Sequence, residues 1–420
     1  MKQSLNWAGN YKYSASALHT PVIVEQVQEI VASSKKVKVL GTRHSFNHIA
    51  DTTEDHISLQ HLNQVIALDP VRHQVTVQAG IRYGELCEYL YQHGYALHNL
   101  ASLPHISVSG ACATATHGSG DRNGNLATIV DGMEIVLWNG EKAVFSADKQ
   151  NLAGAVVGLG GLGVVIQMTL NIIPSFEVSQ YVYDDLPFAQ LERHLDDIFS
   201  SAYSVSLFTD WKSENVNQVW VKSKLPDGVS AGTAPAPEFY GARLAASPRH
   251  PVPGYSGENC SEQMGVPGPW HERLPHFRMA FTPSAGEELQ SEYFVPRQAA
   301  YQALQALHAI REHIAPLLYV SEIRTIAKDE LWMSPNYLQD SVAVHFTWRP
   351  QWEAVRSVLP LIEKQLEPYG ARPHWGKLFT MEPSRLKAGY EKLPDFQQLL
   401  RQCDPHGKFR NAFLDTYIGD

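Results

Sequence analysis

VKVLGTRHSFNHIA, residues 37–50, governs how the rest of the chain is read. Val37 to Leu40 reads as a short strand that stops at Gly41. A loop that leaves a strand in this way presents backbone N–H groups to an anion, and His44 sits among them. His44 and His48 are four apart, a spacing that two metal ligands on one helical face would have. Gly41 and the loop-like composition weaken that reading, and no third ligand stands nearby. Taken alone, the His-Ser pair reads better as an ordinary surface turn with an incidental histidine.

Upstream, Thr20-Pro21 predicts the start of a helix whose apolar positions Val24, Val27, Ile30 and Val31 recur at helical spacing. Downstream, Val75 to Gln78 reads as a strand. Tyr83 to Gln92 reads as a helix closed by His93-Gly94, and residues 126–145 read as two strands joined at Asn139-Gly140. The segment ASLPHISVSGACATATHGSG (101–120) is rich in small and hydroxyl residues and nearly without charge. A phosphate or a heterocycle could lie against such backbone, though a buried small-residue turn would have the same composition.

Gly158, Gly160 and Gly163 fit the spacing of a dinucleotide-binding loop, but the surrounding order is reversed. A helix-like NLAGAVVG leads in and the strand VVIQMTLNII leads out, so no helix N-terminus would face a pyrophosphate. These glycines are expected to allow tight turns or close approach instead. Residues 225–275 are dense in Pro and Gly and are expected to form a long excursion with no packed element. Beyond them, helices at 295–314 and 352–366 should alternate with strands at Leu318–Ile326 and Val342–Trp348.

At 420 residues the chain calls for two domains, divided here at 1–175, 176–375 and a C-terminal segment 376–420. A net charge of −9 without basic clusters argues against nucleic acid and against an anionic membrane surface. The first residues lack the apolar core of a secretory signal, and no apolar run reaches the roughly 20 residues that span a bilayer. Four scattered cysteines carry no metal rhythm, so the expectation is a cytoplasmic protein with no metal.

The strand-to-GTRHS loop, the SLPHISVSG…THGSG segment and the GLGVV strand follow one another as they do in the vanillyl-alcohol-oxidase-type flavoproteins. The chain resembles the branch that oxidises sugar alcohols (alditols such as xylitol) nearly end to end. The shared stretches are NWAGN (6–10), AYSVSLFTDW (202–211), MGVPGPWHERLPHF (264–277), ELQSEY (288–293), EIRT (322–325), HFTW (345–348), ARPHWGK (371–377) and DPHGKFRNAF (404–413).

That resemblance implies an α+β, two-domain fold: a PCMH-type FAD-binding domain of two α/β subdomains, and a substrate domain with a large antiparallel sheet covered by helices. The C-terminal segment would return to the FAD domain. The resemblance implies FAD bonded through its 8α-methyl to His44. The pyrophosphate would lie on Gly41, Thr42, Arg43, His44, Ser45, Phe46 and Asn47. Ser102, Ser107, Gly110, Ala111, Cys112, Ala113 and His117 would surround the flavin, Val165 and Ile166 would touch the adenine end, and Asn411 would fold back from the C-terminus. Arg43 stands where the family has glycine.

The substrate set implied in the same way is Ser102, Gln290, Glu322, Arg324, Thr347 and Lys377. Residue spacing supports it independently: Glu322 and Arg324 are two apart on a strand and share a face, where opposite charges need each other or a ligand to offset desolvation. Arg324 and Lys377 would stabilise the alkoxide that forms as hydride leaves for flavin N5, while Glu322 would orient Arg324 or accept a proton. The expected reaction is oxidation of a linear alditol to the aldose, with O2 reduced to H2O2, by a monomer. The alternatives are a sugar-1,4-lactone oxidase and a polyol dehydrogenase with another acceptor.

Overall fold

Side-chain alternation along two antiparallel sheets decides where the chemistry of this chain can sit. The structure is a computed structural model and describes residues 5–148, 151–226, 235–278 and 287–419. Near the N-terminus the strands Ala17–His19, Asp55–Ile57 and Val37–Val39 lie parallel in that spatial order. The helix Val24–Ser33 buries Val27 and Val31 in a cluster with Val37 and Ile57. It starts later than Pro21 suggests, because Ile23 is extended (φ −136°, ψ 160°) and the Val22 N–H is taken by the Gln26 side chain at 2.8 Å.

A five-stranded antiparallel sheet follows, ordered Val65–Asp69, Gln74–Gln78, Val164–Asn171, Val130–Val136, Lys142–Ser146. The expected helix Tyr83–Gln92 is present with Gly94 at φ 80° beyond its cap, and Gly140 turns the expected hairpin at φ 85°. Leu126–Ile129, expected as strand, is a 3-10 turn capped by the Asn125 side chain. A short helix, Leu152–Ala155, precedes the GLGGLG loop and a strand follows it, the reverse of a dinucleotide crossover. Gly163, at φ 149°, passes so near the neighbouring strand that a Cβ would lie 2.5 Å from the Val136 carbonyl oxygen.

From Glu177 the chain builds a ten-stranded sheet whose pairings are all antiparallel. Helices Leu191–Ser200, Ala300–Ala309 and Trp352–Leu366 cover one face. Ile198, Leu304, Leu307 and Ile362 share a core there with Leu207, Ile323, Val344 and Phe346. A period of two therefore turns Gln290, Glu292, Glu322, Arg324, His345 and Thr347 to the opposite face.

Two expectations change here. The helix expected over 295–314 starts later and is broken. Val295 pairs with Val342, so the strand runs to Pro296, and helices Ala300–Ala309 and Arg311–Ile314 follow. The Pro- and Gly-rich stretch 225–275, whose residues 227–234 lie outside those described, is packed rather than loose. Glu238–Phe239, Ala242–Leu244 and Gly268–Pro269 join the sheet, and Cys260 and Trp270 are buried. Ala242–Leu244 and Gly268–Pro269 pair with groups that an edge strand at Glu177–Pro187 would leave open.

At the C-terminus Phe413, Leu414 and Ile418 enter the core that contains Val75, Leu86 and Met168. Asn411 caps the helix Ala412–Tyr417, and its Nδ2 donates to the carbonyls of His48 (3.2 Å), Ile49 (3.0 Å) and Asp51 (2.8 Å). Asn411→Ala removes both the cap and this tie to His48, Ile49 and Asp51. The expected loss is about 2 kcal/mol of stability, read as a lower melting temperature, and an unchanged melting temperature would refute the clamp.

Candidate active site

A cavity of about 720 Å³ runs between the GTRHS loop and the polar face of the large sheet. Gly41, Thr42, Arg43, His44, Ser45 and Phe46 form one wall, and Ser102, Ser107, Gly110, Ala111, Ala113 and His117 form another. Val165 and the glycines of the GLGGLG loop close a further side. Gly41 and Gly110 leave room at this wall that a side chain would take: Cβ atoms there would lie 3.0 and 2.7 Å from Ser107 Oγ.

His44 is half-buried and stacks on Trp7 with ring centroids 5.2 Å apart. Its Nδ1 lies 3.0 Å from Thr42 Oγ1, and Nε2 has no partner among the described residues. Burial, joined by the positive potential of His105, Arg82 and Arg43, pushes its pKa down to about 4, so the ring is neutral at pH 7. Arg43 adopts the left-handed backbone that glycine favours, at φ 65°. The small-residue cradle, the neutral histidine and the cavity's volume fit a dinucleotide flavin.

At the other end, strand register assembles the charges. Glu292 and Glu322 both pair with His345, from opposite sides, and Phe208 stands across from Glu322; Gln290 and Val320 flank Thr347 in the same way. Arg324 Nη2 donates to Glu292 Oε1 at 2.9 Å, and Lys377 Nζ donates to Glu292 Oε2 at 2.6 Å. His117 Nε2 adds a third contact to Glu292, at 3.1 Å. Burial alone would raise the Glu292 pKa, but Lys377, His117 and Arg324 hold it well below the usual carboxylate range. Glu322 is treated alike: burial pushes it up, while Arg324 and His276 pull it further down.

Lys377 also donates to His345 Nδ1 at 2.7 Å, which makes that nitrogen an acceptor and leaves Nε2–H facing Thr347 Oγ1 at 3.1 Å. Two ammonium hydrogens are thereby used, and the third has no partner among the described residues. Burial lowers the Lys377 pKa, Glu292 opposes that shift and Arg324 adds to it.

Ser102, Gln290, Glu322, Arg324, Thr347 and Lys377 all line the cavity. Four residues expected around the cofactor lie outside its wall, held by other contacts. Asn47 Nδ2 donates to the carbonyls of Trp375 (2.9 Å) and Lys377 (2.8 Å), and Cys112 is buried against the Leu126 carbonyl. Ile166 belongs to the core beneath the N-terminal helix, and Asn411 acts as the clamp described above.

The sequence reading missed Glu292, His276 and Lys38. Glu292 stands two residues after Gln290, a same-face spacing that would have exposed it. Lys38 is the one charge inside the VKVL strand; it is buried and donates to the Gly160 carbonyl at 3.0 Å. His276 meets Glu322 from a distant segment, and no local pattern announces it.

Residues 15–146 match the FAD binding domain family, and residues 285–417 match the D-arabinono-1,4-lactone oxidase family. Cholesterol oxidase from B. sterolicum superposes with a TM-score of 0.78 at 14% identity, covering 99% of this chain and 96% of its own, a likeness of fold. The alditol oxidase of Streptomyces sp. (strain IKD472 / FERM P-14339) is 46% identical over 413 residues, 97% of each chain. L-gulonolactone oxidase of Bos taurus is 27% identical over 442 residues, 98% of this chain and 97% of its own. Fold and cavity are those of a vanillyl-alcohol-oxidase-type flavoprotein. Within that class the chain belongs to the alditol oxidase family.

Glu292 is the charge on which this end of the cavity balances. Glu292→Gln would leave Arg324 and Lys377 side by side without their shared counter-ion. We expect a loss of about 3–5 kcal/mol, measured as the shift in denaturant midpoint, and a loss under about 1 kcal/mol would contradict this role.

Proposed function

We propose that this protein oxidises the terminal hydroxyl of a linear alditol, such as xylitol or sorbitol, to the aldose, with O2 reduced to hydrogen peroxide. A cytoplasmic monomer is part of the same reading. No helix among the described residues is long and apolar enough to cross a membrane. The observation that carries the proposal is a dense set of hydroxyl-pairing groups on one sheet face, in the same cavity as His44.

FAD, when bound, supplies the hydride acceptor at N5 and the route for electrons to O2. Gly41 to Ser45, Ser107 and Gly110 are the residues that would hold it, with His44 as the point of covalent attachment; the neutral ring and uncommitted Nε2 support that choice. Arg324 and the remaining hydrogen of Lys377 Nζ place positive charge where the substrate oxygen becomes an alkoxide, which lowers the barrier in a site of low dielectric. Glu322, kept ionised by its neighbours, accepts hydrogen bonds well and holds a proton poorly. It is better suited to orienting Arg324 and a substrate hydroxyl than to keeping the hydroxyl proton, which passes on to solvent water. Thr347 receives His345 Nε2–H on its oxygen, so its own hydroxyl hydrogen is available to the substrate. Gln290 Nε2 donates to Glu288 Oε1 at 2.6 Å, which leaves the Gln290 carbonyl to accept from another hydroxyl. A site that pairs several hydroxyls discriminates strongly against analogues lacking them.

The match of residues 285–417 to a lactone oxidase family favours sugar-1,4-lactones as the second reading. A polyol and lactone panel, with peroxide detected in air and a dye acceptor supplied anaerobically, separates these readings. Turnover of xylitol with peroxide supports the first, and turnover confined to lactones supports the second. Lys377→Met should lower kcat by roughly 10²–10³-fold with flavin still bound, and near-normal turnover would remove its assigned role. Acid precipitation should leave yellow flavin in the wild-type pellet. In His44→Ala the colour should pass to the supernatant or be absent, and a yellow pellet from that variant would exclude the linkage.

A further inference from the structure

Besides Lys377, a second lysine is wired to the polar pocket through a histidine, and no part of the mechanism above uses it. Lys222, on the strand Asn215–Lys224, is buried. Its Nζ donates to the carbonyls of Leu274 (2.6 Å) and Pro275 (3.1 Å) and lies 3.3 Å from His276 Nδ1. His276, brought in by the Pro- and Gly-rich excursion, lines the cavity and reaches Glu322 Oε1 with Nε2 at 2.7 Å. Phe208 and Trp220 meet its ring edge-on at 5.4 and 5.3 Å, which fixes the plane of the imidazole.

The polarity of this chain follows from chemistry. An ionised carboxylate only accepts, so His276 Nε2 carries the hydrogen and donates it to Oε1. Oε1 also lies 3.5 Å from Arg324 Nε, which is buried and has no hydrogen-bond partner among the described residues. Oε2 of Glu322 has no partner among the described residues. A carboxylate beside an unsatisfied guanidinium N–H tends to close into a two-pronged pair with it. The hydrogen bond from His276 opposes that closure and keeps Oε2 for the cavity.

We propose that His276, itself anchored by Lys222, is a positioning residue that fixes Glu322 Oε1 beside Arg324 and keeps Oε2 from turning onto that guanidinium, so that Oε2 can accept from a substrate hydroxyl. This rests on the alditol-oxidising function proposed above. It predicts an effect on binding of the polyol more than on the redox step, because neither residue contacts the flavin cradle.

The test uses the flavinylated enzyme with xylitol. His276→Leu should raise KM about tenfold, the worth of one charge-assisted hydrogen bond, with kcat changed less than about threefold and flavin content and absorbance spectrum unaltered. His276→Gln, whose amide N–H can replace Nε2–H, should return KM to within about threefold of wild type. Lys222→Met should shift KM in the same direction as His276→Leu. In a Glu322→Gln background His276→Leu should add nothing further, since both act through one carboxylate. Where the leucine variant does not fold, His276→Asn, polar but too short to reach Glu322, carries the same expectation. A wild-type KM in His276→Leu or His276→Asn, or effects that multiply independently with Glu322→Gln, overturns the proposal while alditol turnover stands. No alditol turnover by wild type overturns the proposed function and this inference with it.

Discussion

One buried carboxylate makes the substrate end of the cavity possible. Glu292 is almost wholly removed from solvent, yet it accepts from Lys377, Arg324 and His117 at 2.6, 2.9 and 3.1 Å. An isolated carboxylate at such a depth would be destabilised by several kcal/mol, and the same is true of each cation. Together they offset one another. Arg324 and Lys377 can stay charged within one small volume only because a negative group lies between them. The partners also come from distant parts of the chain. His117 belongs to the THGSG segment on the cofactor side, Arg324 to a neighbouring strand and Lys377 to the HWGK turn. Neutralising Glu292 thus ties the flavin side of the molecule to the catalytic sheet.

The scaffold for this charge set is alternation. The pleat that sends Ile323, Val344 and Phe346 into the helix-covered core sends Glu322, Arg324, His345 and Thr347 to the other face. A one-residue slip would exchange the two sets, and the burial of large apolar side chains against three helices forbids it. Precision on the polar face is therefore inherited from packing on the apolar one. A second registration comes from the GTRHS loop. The Phe46 N–H donates to the Gly376 carbonyl at 2.8 Å, and Asn47 Nδ2 donates to the carbonyls on both sides of that glycine. Asn47 thereby helps to set the distance between His44 and Lys377.

What was legible in the sequence follows the same physics. Periodicity over the buried strands and over Trp352–Leu366 reports packing directly, so those elements fall where they are expected. The spacing of Glu322 and Arg324 announced a shared face, though the residues they hydrogen-bond, His276 and Glu292, come from other segments. Composition misled in the Pro- and Gly-rich stretch, because those residues forbid regular backbone without forbidding burial. Trp270 and Cys260 are buried there, and His276, just beyond it, meets Glu322. Pairings such as Lys222 with His276 depend on register and on the path of a long connection, which no local pattern encodes.

The GTRHS loop shows tertiary structure overriding a local preference at the point of greatest consequence. Arg43 holds a left-handed backbone at φ 65°, a conformation that disfavours an L-residue by about 1 kcal/mol relative to glycine. The turn persists because its surroundings over-determine it. The Arg43 carbonyl accepts from the Trp7 N–H at 2.8 Å, Asn6 Nδ2 donates to the Ser45 carbonyl at 3.0 Å, and the next residue along is fastened to Gly376. Trp7 then lays its ring on His44. The N-terminal NWAGN segment is thus the brace that lets this chain carry an arginine in a backbone conformation that favours glycine, while His44 keeps its place in the cavity wall.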